Sequence, residues 1–438
     1  MSLSDKSFSL FKRDVLLFAT NLVTGVVVAR MLGPTVLGLW IILQMILAYA
    51  EGFGRLQWDE ASIYLLGRRK YDISEVVFTL NAAALIMSSL IIGVVLWQFE
   101  LIYHLLFAKS ALDVRLYMSV ILLQVPLQFL NVNYTYLHIF REDVRTYNGM
   151  VILRSLLSSL LGITLLVVFK LGLMAVVASS ILSVFVSLAY GVLKFGATKG
   201  PARLFNASLI QDLLRYGSVL YVTSVLSQLN AYVTRLIVVF LLAPAQVAYF
   251  AMAQNQGQLL NKVPDALNAL LYTRISKTVS PAESSELTAR AFRIVLLILA
   301  AAGAVAFFVI YPVVWVLYGE SFLAMVVPLR ILLPGLVLSG STSVLNQYFT
   351  GVGRADIRAK IALIPLLIQV PVAFILIPTM GLAGAAIAAG LGLLALSVAQ
   401  VIAFLRISTS IHGAHLLIGK QDVRDVAAFI RFQVAKVA

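Results

Sequence analysis

Arg30-Met-Leu-Gly33-Pro34-Thr-Val-Leu-Gly38-Leu-Trp40 returns 210 residues later as Phe240-Leu-Leu-Ala243-Pro244-Ala-Gln-Val-Ala248-Tyr-Phe250. Proline falls on proline, Gly33 on Ala243, Gly38 on Ala248 and Trp40 on Phe250. Four residues on, Gln44 falls on Gln254. Each copy links two long apolar segments through a tight, uncharged turn. The chain therefore reads as a membrane bundle written twice. Such a repeat is the architecture of transporters, which place the substrate site at the repeat interface.

Composition agrees. Of 438 residues 61% are hydrophobic and 12% charged, about half the charge of an ordinary soluble domain. There are no cysteines, which excludes thiol catalysis, disulfides and cysteine metal sites. The first apolar run follows Lys12 and Arg13 as in a signal peptide, but it is too long and leads straight into further spans. Twelve apolar segments are expected, at 9–31, 36–58, 73–99, 114–140, 146–169, 173–195, 213–242, 246–272, 288–318, 323–351, 357–378 and 382–405. Each reaches the ~20 residues that cross a bilayer core as a helix.

The net charge of +14 is a matter of topology. Of the 33 basic residues, 26 fall at the termini and in alternate loops, around 55–70, 141–154, 194–215, 274–293 and 354–360. The positive-inside rule then puts both termini in the cytoplasm. No nucleic-acid partner is implied. An even six helices per half makes the repeat parallel, about an axis along the membrane normal. Two further correspondences support it: Arg141-Glu-Asp143 with Arg354-Ala-Asp356, and Gly172-Leu173 with Gly381-Leu382. The expected organisation is an N-terminal lobe over 1–196, a polar linker over 197–210, a C-terminal lobe over 211–408 and a cytoplasmic tail over 409–438. In the tail, Val423, Val426, Ala427, Ile430, Val434 and Val437 form an apolar face suited to an interfacial helix, although Phe429 and Phe432 fall off it. A disordered tail is the other reading.

Polar groups inside spans are costly and mark function. On the eighth segment Gln254, Gln258, Asn261, Lys262 and Asp265 share one face within about 100° of helical wheel. Gln44, Glu51, Arg55 and Asp59 do so on the second, as repeat mates. Ser224, Gln228 and Arg235 align on the seventh, Asp14 and Asn21 on the first, and Gln124, Gln128, Asn131, Thr135 and His138 on the fourth. Two explanations compete. Glu51–Arg55 and Lys262–Asp265 are spaced to neutralise each other, and amides can glue helices together. A water-filled cavity between the halves accounts for every stripe at once and is the reading adopted. The substrate-binding candidates are Arg235, Lys262, Gln254, Gln258, Asn261, Gln44, Asn21 and Gln228. Arginine grips phosphate through a fork and lysine as a point charge, while amides suit sugar hydroxyls. Glu51 and Asp265 are the coupling-ion candidates, because burial raises a carboxyl towards neutrality.

No P-loop, dinucleotide fingerprint, His-Glu-x-x-His or loop carboxylate pair occurs in the sequence. Neither an enzyme, a cofactor nor a metal site is expected.

Ala29-Arg-Met-Leu-Gly33-Pro34 with Gly38-Leu-Trp40 resembles the polysaccharide transporter family, the Wzx-type lipid-linked oligosaccharide flippases of the MOP exporter superfamily. Arg215-Tyr-Gly-Ser218, Val247-Ala-Tyr-Phe-Ala251 and Gly381-Leu-Ala-Gly384-Ala-Ala-Ile-Ala388 match as well. The resemblance covers about 1–408. It implies an all-α polytopic fold of twelve transmembrane helices in two six-helix lobes, V-shaped and MATE-like. It implies a monomer in the bacterial cytoplasmic membrane that flips undecaprenyl-diphosphate-linked oligosaccharide by alternating access, alongside a glycan polymerase and export machinery. Its drug/cation antiporter cousins supply the alternative function.

Overall fold

The computed structural model describes residues 3–68, 70–196, 206–277, 280–408, 411, 413–419, 421, 422 and 424. Secondary structure among these is helical throughout. In chain order the helices are α1 Leu3–Gly54, α2 Trp58–Gly67, α3 Ile73–Trp97, α4 Phe99–Phe107, α5 Arg115–Ile121, α6 Gln124–Phe140, α7 Val144–Val167 and α8 Leu173–Phe195. They continue with α9 Ala207–Leu241, α10 Pro244–Gly257, α11 Lys262–Lys277, α12 Pro281–Tyr318, α13 Val326–Gly351, α14 Ala355–Ile361, α15 Ile364–Met380 and α16 Leu382–Ile407. Among the described residues, nine stretches are long and apolar enough to cross a membrane, and Ile364–Met380 is a shorter apolar helix. The chain is a multi-pass membrane protein.

Helix ends follow local chemistry. Asp72 accepts from the Ser74 amide at 3.0 Å and opens α3. Asp143 accepts from the Thr146 amide at 3.1 Å and opens α7. Ser280-Pro-Ala-Glu283 opens α12, with Pro281 in the first turn and the Ser280 hydroxyl accepting from the Glu283 amide at 3.4 Å. Each bond satisfies a donor that would otherwise be orphaned in or near lipid.

The duplicated turn folds differently in its two copies. The first and second expected segments form one 52-residue run, α1, broken only at Gly33 with φ 69° and ψ 171°. That backbone region is essentially restricted to glycine, and Pro34 beside it supplies no amide hydrogen. In the second copy a true gap separates α9 from α10 at Leu242 and Ala243, where the Ala243 carbonyl accepts the Gln246 amide at 2.9 Å. The other repeat marks agree more closely. Gly172, opening α8, has φ 55° and ψ −129°. Gly381, opening α16, has φ 57° and ψ −129°.

The eighth expected span is interrupted: a 3₁₀ turn over Gln258–Asn261 separates α10 from α11. The fourth and eleventh are broken as well, into α5 with α6 and α14 with α15.

The helices group into two compact units, residues 1–228 with 242–248 and residues 229–241 with 249–438. The division falls within α9. In the first unit α7 packs on α8 and α1, and α6 on α8, α3 and α2. The opening of α9 is held there because Leu209 and Leu213 join an apolar core with Ala61, Leu65, Leu66, Val76, Leu80, Leu137 and Phe195. In the second unit α13 packs on α16, α12 and α11, and α15 on α16. Phe292, Leu299, Tyr348, Phe349 and Phe404 lie at its core. Residues 197–205 of the expected linker lie outside the described residues, as do Val423 and 425–438 of the expected tail helix.

The two turn copies touch within the first unit. A Cβ placed on Gly38 would lie 1.8 Å from the Pro244 carbonyl oxygen. Gly38→Ala is expected to destabilise the fold by more than the ~1–3 kcal/mol of ordinary overpacking, because the obstacle is backbone. Gly67→Ala, which meets nothing within 4 Å, serves as control. Thermal unfolding of the detergent-solubilised protein measures both, and a Gly38→Ala midpoint equal to wild type would refute the contact.

Candidate functional site

In the second unit Arg235 lies near the end of α9 and is 8% exposed. Its Nε and Nη2 donate to Gln254 Oε1 at 3.2 and 3.0 Å, and Nη2 also donates to Asn255 Oδ1 at 3.3 Å. The guanidinium lies over an aromatic face, its Cζ 5.3 Å from the Tyr232 ring centroid. Two of the expected substrate residues, Arg235 and Gln254, are thus partners of each other across α9 and α10. The amides orient the guanidinium without cancelling its charge.

The 3₁₀ turn places the rest of the stripe. Gln258 is exposed and Asn261 half-buried, while Lys262 and Asp265 are exposed on the first turn of α11. Asn261 Oδ1 is buried with no hydrogen-bond partner among the described residues. It faces Gly340, where a Cβ would come within 2.9 Å of it. Lys262 and Asp265 do not pair, so the neutralising alternative fails at this site.

In the first unit that alternative holds. Arg55 Nη1 donates to Glu51 Oε1 at 2.7 Å, and Nη2 pairs with Asp59. Gln128 Nε2 reaches the other Glu51 oxygen at 3.2 Å. Burial works against the Arg55 charge, but Asp59 and Glu51 outweigh it and raise its pKa. Asp59 is 2% exposed, and burial pushes its carboxyl above the usual range despite Arg55. Asp59 Oδ1, Arg55 Nε and Gln128 Oε1 are buried without hydrogen-bond partners among the described residues. A cavity of about 20 Å³ touches Arg55 and Asn133, large enough for one water. The chain breaks here through Leu56 and Gln57, both at positive φ (54° and 56°).

Arg154 was missed by charge counting, which puts it with the loop cations. It lies ten residues inside α7, about 15 Å along the helix, half-buried and within electrostatic reach of Glu51.

Elsewhere the expected stripes divide. Asn21 is exposed and accepts from Ser155 Oγ at 3.2 Å. Gln44 is half-buried. Gln228 donates to the Ala48 carbonyl at 2.7 Å and fills the space that Gly52 leaves open. On α6 the cavity reading fails for three residues. Gln124 accepts from Ser180 at 2.9 Å, Asn131 from Ser187 at 3.0 Å, and His138 Nε2 meets the Gly191 carbonyl at 3.0 Å. All three are buried against α8. They are interhelical glue, whereas Gln128 turns to the charged cluster.

A model of a family described as polysaccharide biosynthesis protein matches residues 27–327, more than half of the chain. Among solved structures, the lipid II flippase MurJ in an inward closed conformation aligns with a TM-score of 0.74 at 15% identity, over 98% of this chain and 99% of that one. An inward-facing multidrug resistance MATE family transporter of the MOP superfamily aligns with a TM-score of 0.73 at 19% identity, over 95% of this chain and 96% of its own. At these identities the likeness establishes the fold. No curated protein sequence matches the chain.

Arg55→Gln is expected to cost roughly 3–5 kcal/mol, because it strands the buried Asp59 carboxylate. The double variant Arg55→Gln/Asp59→Asn should recover most of that loss. Thermal stability of the three proteins decides it, and a double variant no more stable than the single one would contradict the buried pair.

Proposed function

We propose that this chain, which belongs to the polysaccharide biosynthesis protein family, moves undecaprenyl-diphosphate-linked oligosaccharide repeat units across the bacterial cytoplasmic membrane by alternating access. The product would feed O-antigen, capsule or exopolysaccharide assembly, with a glycan polymerase and export machinery downstream. The carrying observation is the conjunction of that family with a multi-pass bundle of flippase-like fold. A polysaccharide built on a lipid at one membrane face needs a carrier to the other.

Twelve crossings in two lobes of six fit the helices. α1 would cross once on each side of Gly33, and α5 with α6, α10 with α11 and α14 with α15 would each form one crossing. The termini would then share the cytoplasmic side.

Within this reading Arg235 and Lys262 meet the diphosphate. Gln254, Gln258, Asn261, Gln44, Asn21 and Gln228 meet sugar hydroxyls or hold the cations in place. Glu51 and Asp265 are the coupling carboxylates, and Asp59 joins them as a third. A multidrug cation antiporter is the second reading, favoured by the two carboxylates gathered around Arg55.

Lys262 gives the cleaner test, because its side chain is exposed and makes no hydrogen bond or ion pair among the described residues. Lys262→Ala should fold normally and lower flipping of lipid-linked glycan in proteoliposomes about ten- to hundred-fold, the worth of one charged hydrogen bond. Arg235→Lys should retain part of the activity, because it keeps the charge and loses the fork. Normal flipping by Lys262→Ala would remove it from the site. Ethidium transport without glycan flipping by the wild type would favour the antiporter.

Topology is tested in the naturally cysteine-free chain. With Ser4→Cys, Arg68→Cys and Leu112→Cys, an impermeant thiol reagent outside intact cells should label only the last. Labelling of Arg68→Cys alone would invert the orientation.

A further inference from the structure

At the start of α12 a polar cavity of about 370 Å³ is lined by Glu286, Arg290, Arg293, His415, Gln421 and Asp422, with Leu417 at its edge. This size lies at the lower end of small-ligand sites. It belongs to the second unit, and none of the residues that line it is assigned to the glycan.

The pocket is built by the segment that follows α16. Ile411 and Leu416 are buried in the apolar core with Phe292 and Phe349. Arg293 then fastens the segment, its Nε donating to Asp422 Oδ2 at 2.8 Å and its Nη1 to the His415 carbonyl. The Gly419 amide donates to the same Asp422 oxygen at 2.8 Å. Asp422, 5% exposed, is therefore committed to the wall. Leu417 and Ile418 are left 72% and 40% exposed beside it.

The order of groups along α12 identifies a ligand. Glu286, Arg290 and Arg293 are spaced i, i+4 and i+7, on one face. The continuous apolar run begins directly after them at Ile294. Arg293 therefore stands at the edge of the hydrocarbon. Arg290 lies about 4.5 Å further out and Glu286 about 10 Å further out at 1.5 Å per residue. The headgroup layer on each side of a bilayer is about 5–8 Å deep, so Arg290 stands within it and the Glu286 side chain reaches back to its outer edge. From hydrocarbon outward the sequence is apolar, cationic, cationic, anionic. A phospholipid with a primary ammonium presents the complementary order: acyl chain, phosphate, ammonium.

We propose that this cavity binds the headgroup of phosphatidylethanolamine. Its phosphate would be held by Arg290 and by the Arg293 donors not spent on Asp422 and His415, and its ammonium would donate to Glu286. Leu417 and Ile418 would lie against the acyl chains. Phosphatidylglycerol brings the phosphate without a cation for Glu286. Phosphatidylcholine brings a cation that has no hydrogen to donate. Charge separates phosphatidylglycerol from the other two, and hydrogen-bond donor capacity separates phosphatidylethanolamine from phosphatidylcholine. The site is independent of whether the chain carries glycan or drug.

Native mass spectrometry of the purified full chain, titrated with dioleoyl forms of the three lipids, tests the proposal. The wild type should bind phosphatidylethanolamine at least about ten-fold more tightly than phosphatidylcholine, the lower range for a charge-assisted hydrogen bond. Glu286→Gln should abolish that preference while leaving helical content and thermal stability unchanged, because Glu286 is exposed. Arg290→Gln should weaken phosphatidylethanolamine and phosphatidylglycerol alike. Equal binding of phosphatidylethanolamine and phosphatidylcholine by the wild type would overturn the assignment. So would an unchanged preference in Glu286→Gln, a preference for phosphatidylglycerol, or glycerophosphoethanolamine binding as tightly as the whole lipid.

Discussion

Gly38 admits the Pro244 carbonyl to a distance at which no other residue could stand. The two ends of that contact are the two copies of the duplicated turn. One methyl group at position 38 would force backbone apart from backbone. The mate of Gly38, Ala248, carries such a methyl and is nonetheless fully buried, so the duplication is no longer symmetric at its own junction. That asymmetry has a counterpart in the turns. The first copy bends a continuous helix at Gly33, while the second separates two helices at Leu242 and Ala243. Alanine at 243 cannot adopt the backbone that Gly33 adopts, so the second copy opens a gap where the first only kinks.

Much of the fold is legible in the sequence for a physical reason. In lipid an apolar run of sufficient length has only the helix available to satisfy its amides and carbonyls. All twelve expected segments have helical counterparts, and the matched Gly172 and Gly381 adopt one backbone conformation. The interruptions were not legible. The breaks at 55–57 and 258–261 occur where polar side chains crowd a helix, at Arg55 and Asn261. Both breaks fall in locally polar sequence, Arg55-Leu-Gln57 and Gln258-Leu-Leu-Asn261, but polarity alone does not say whether a helix continues or breaks.

The site is less legible than the fold, because a helical wheel shows that polar residues share a face but not what the face meets. On α6 the deciding information sits on another helix. Ser180, Ser183 and Ser187 of α8 present small hydroxyls at near-helical spacing, a pattern that marks close helix packing in membranes. Read together, α6 and α8 would have identified Gln124 and Asn131 as glue. Arg154 was hidden differently. It lies near loop cations in sequence, and only the start of α7 at Val144 shows how deep it sits.

The two units treat charge in different ways, and this bears on what each can do. In the first, Arg55 is shared between two carboxylates, and Arg154 is within reach of Glu51. Such a cluster is close to neutral, and burial pushes the Asp59 carboxyl above the usual range although Arg55 opposes it. In the second unit Arg235 is oriented by amide oxygens, which carry dipoles and no net charge. Lys262 stands exposed on α11 without an ion-pair partner among the described residues. A neutral amide orients a guanidinium without adding a charge of its own. The physical division of labour is therefore a titratable cluster in one unit and amide-held or exposed cations in the other.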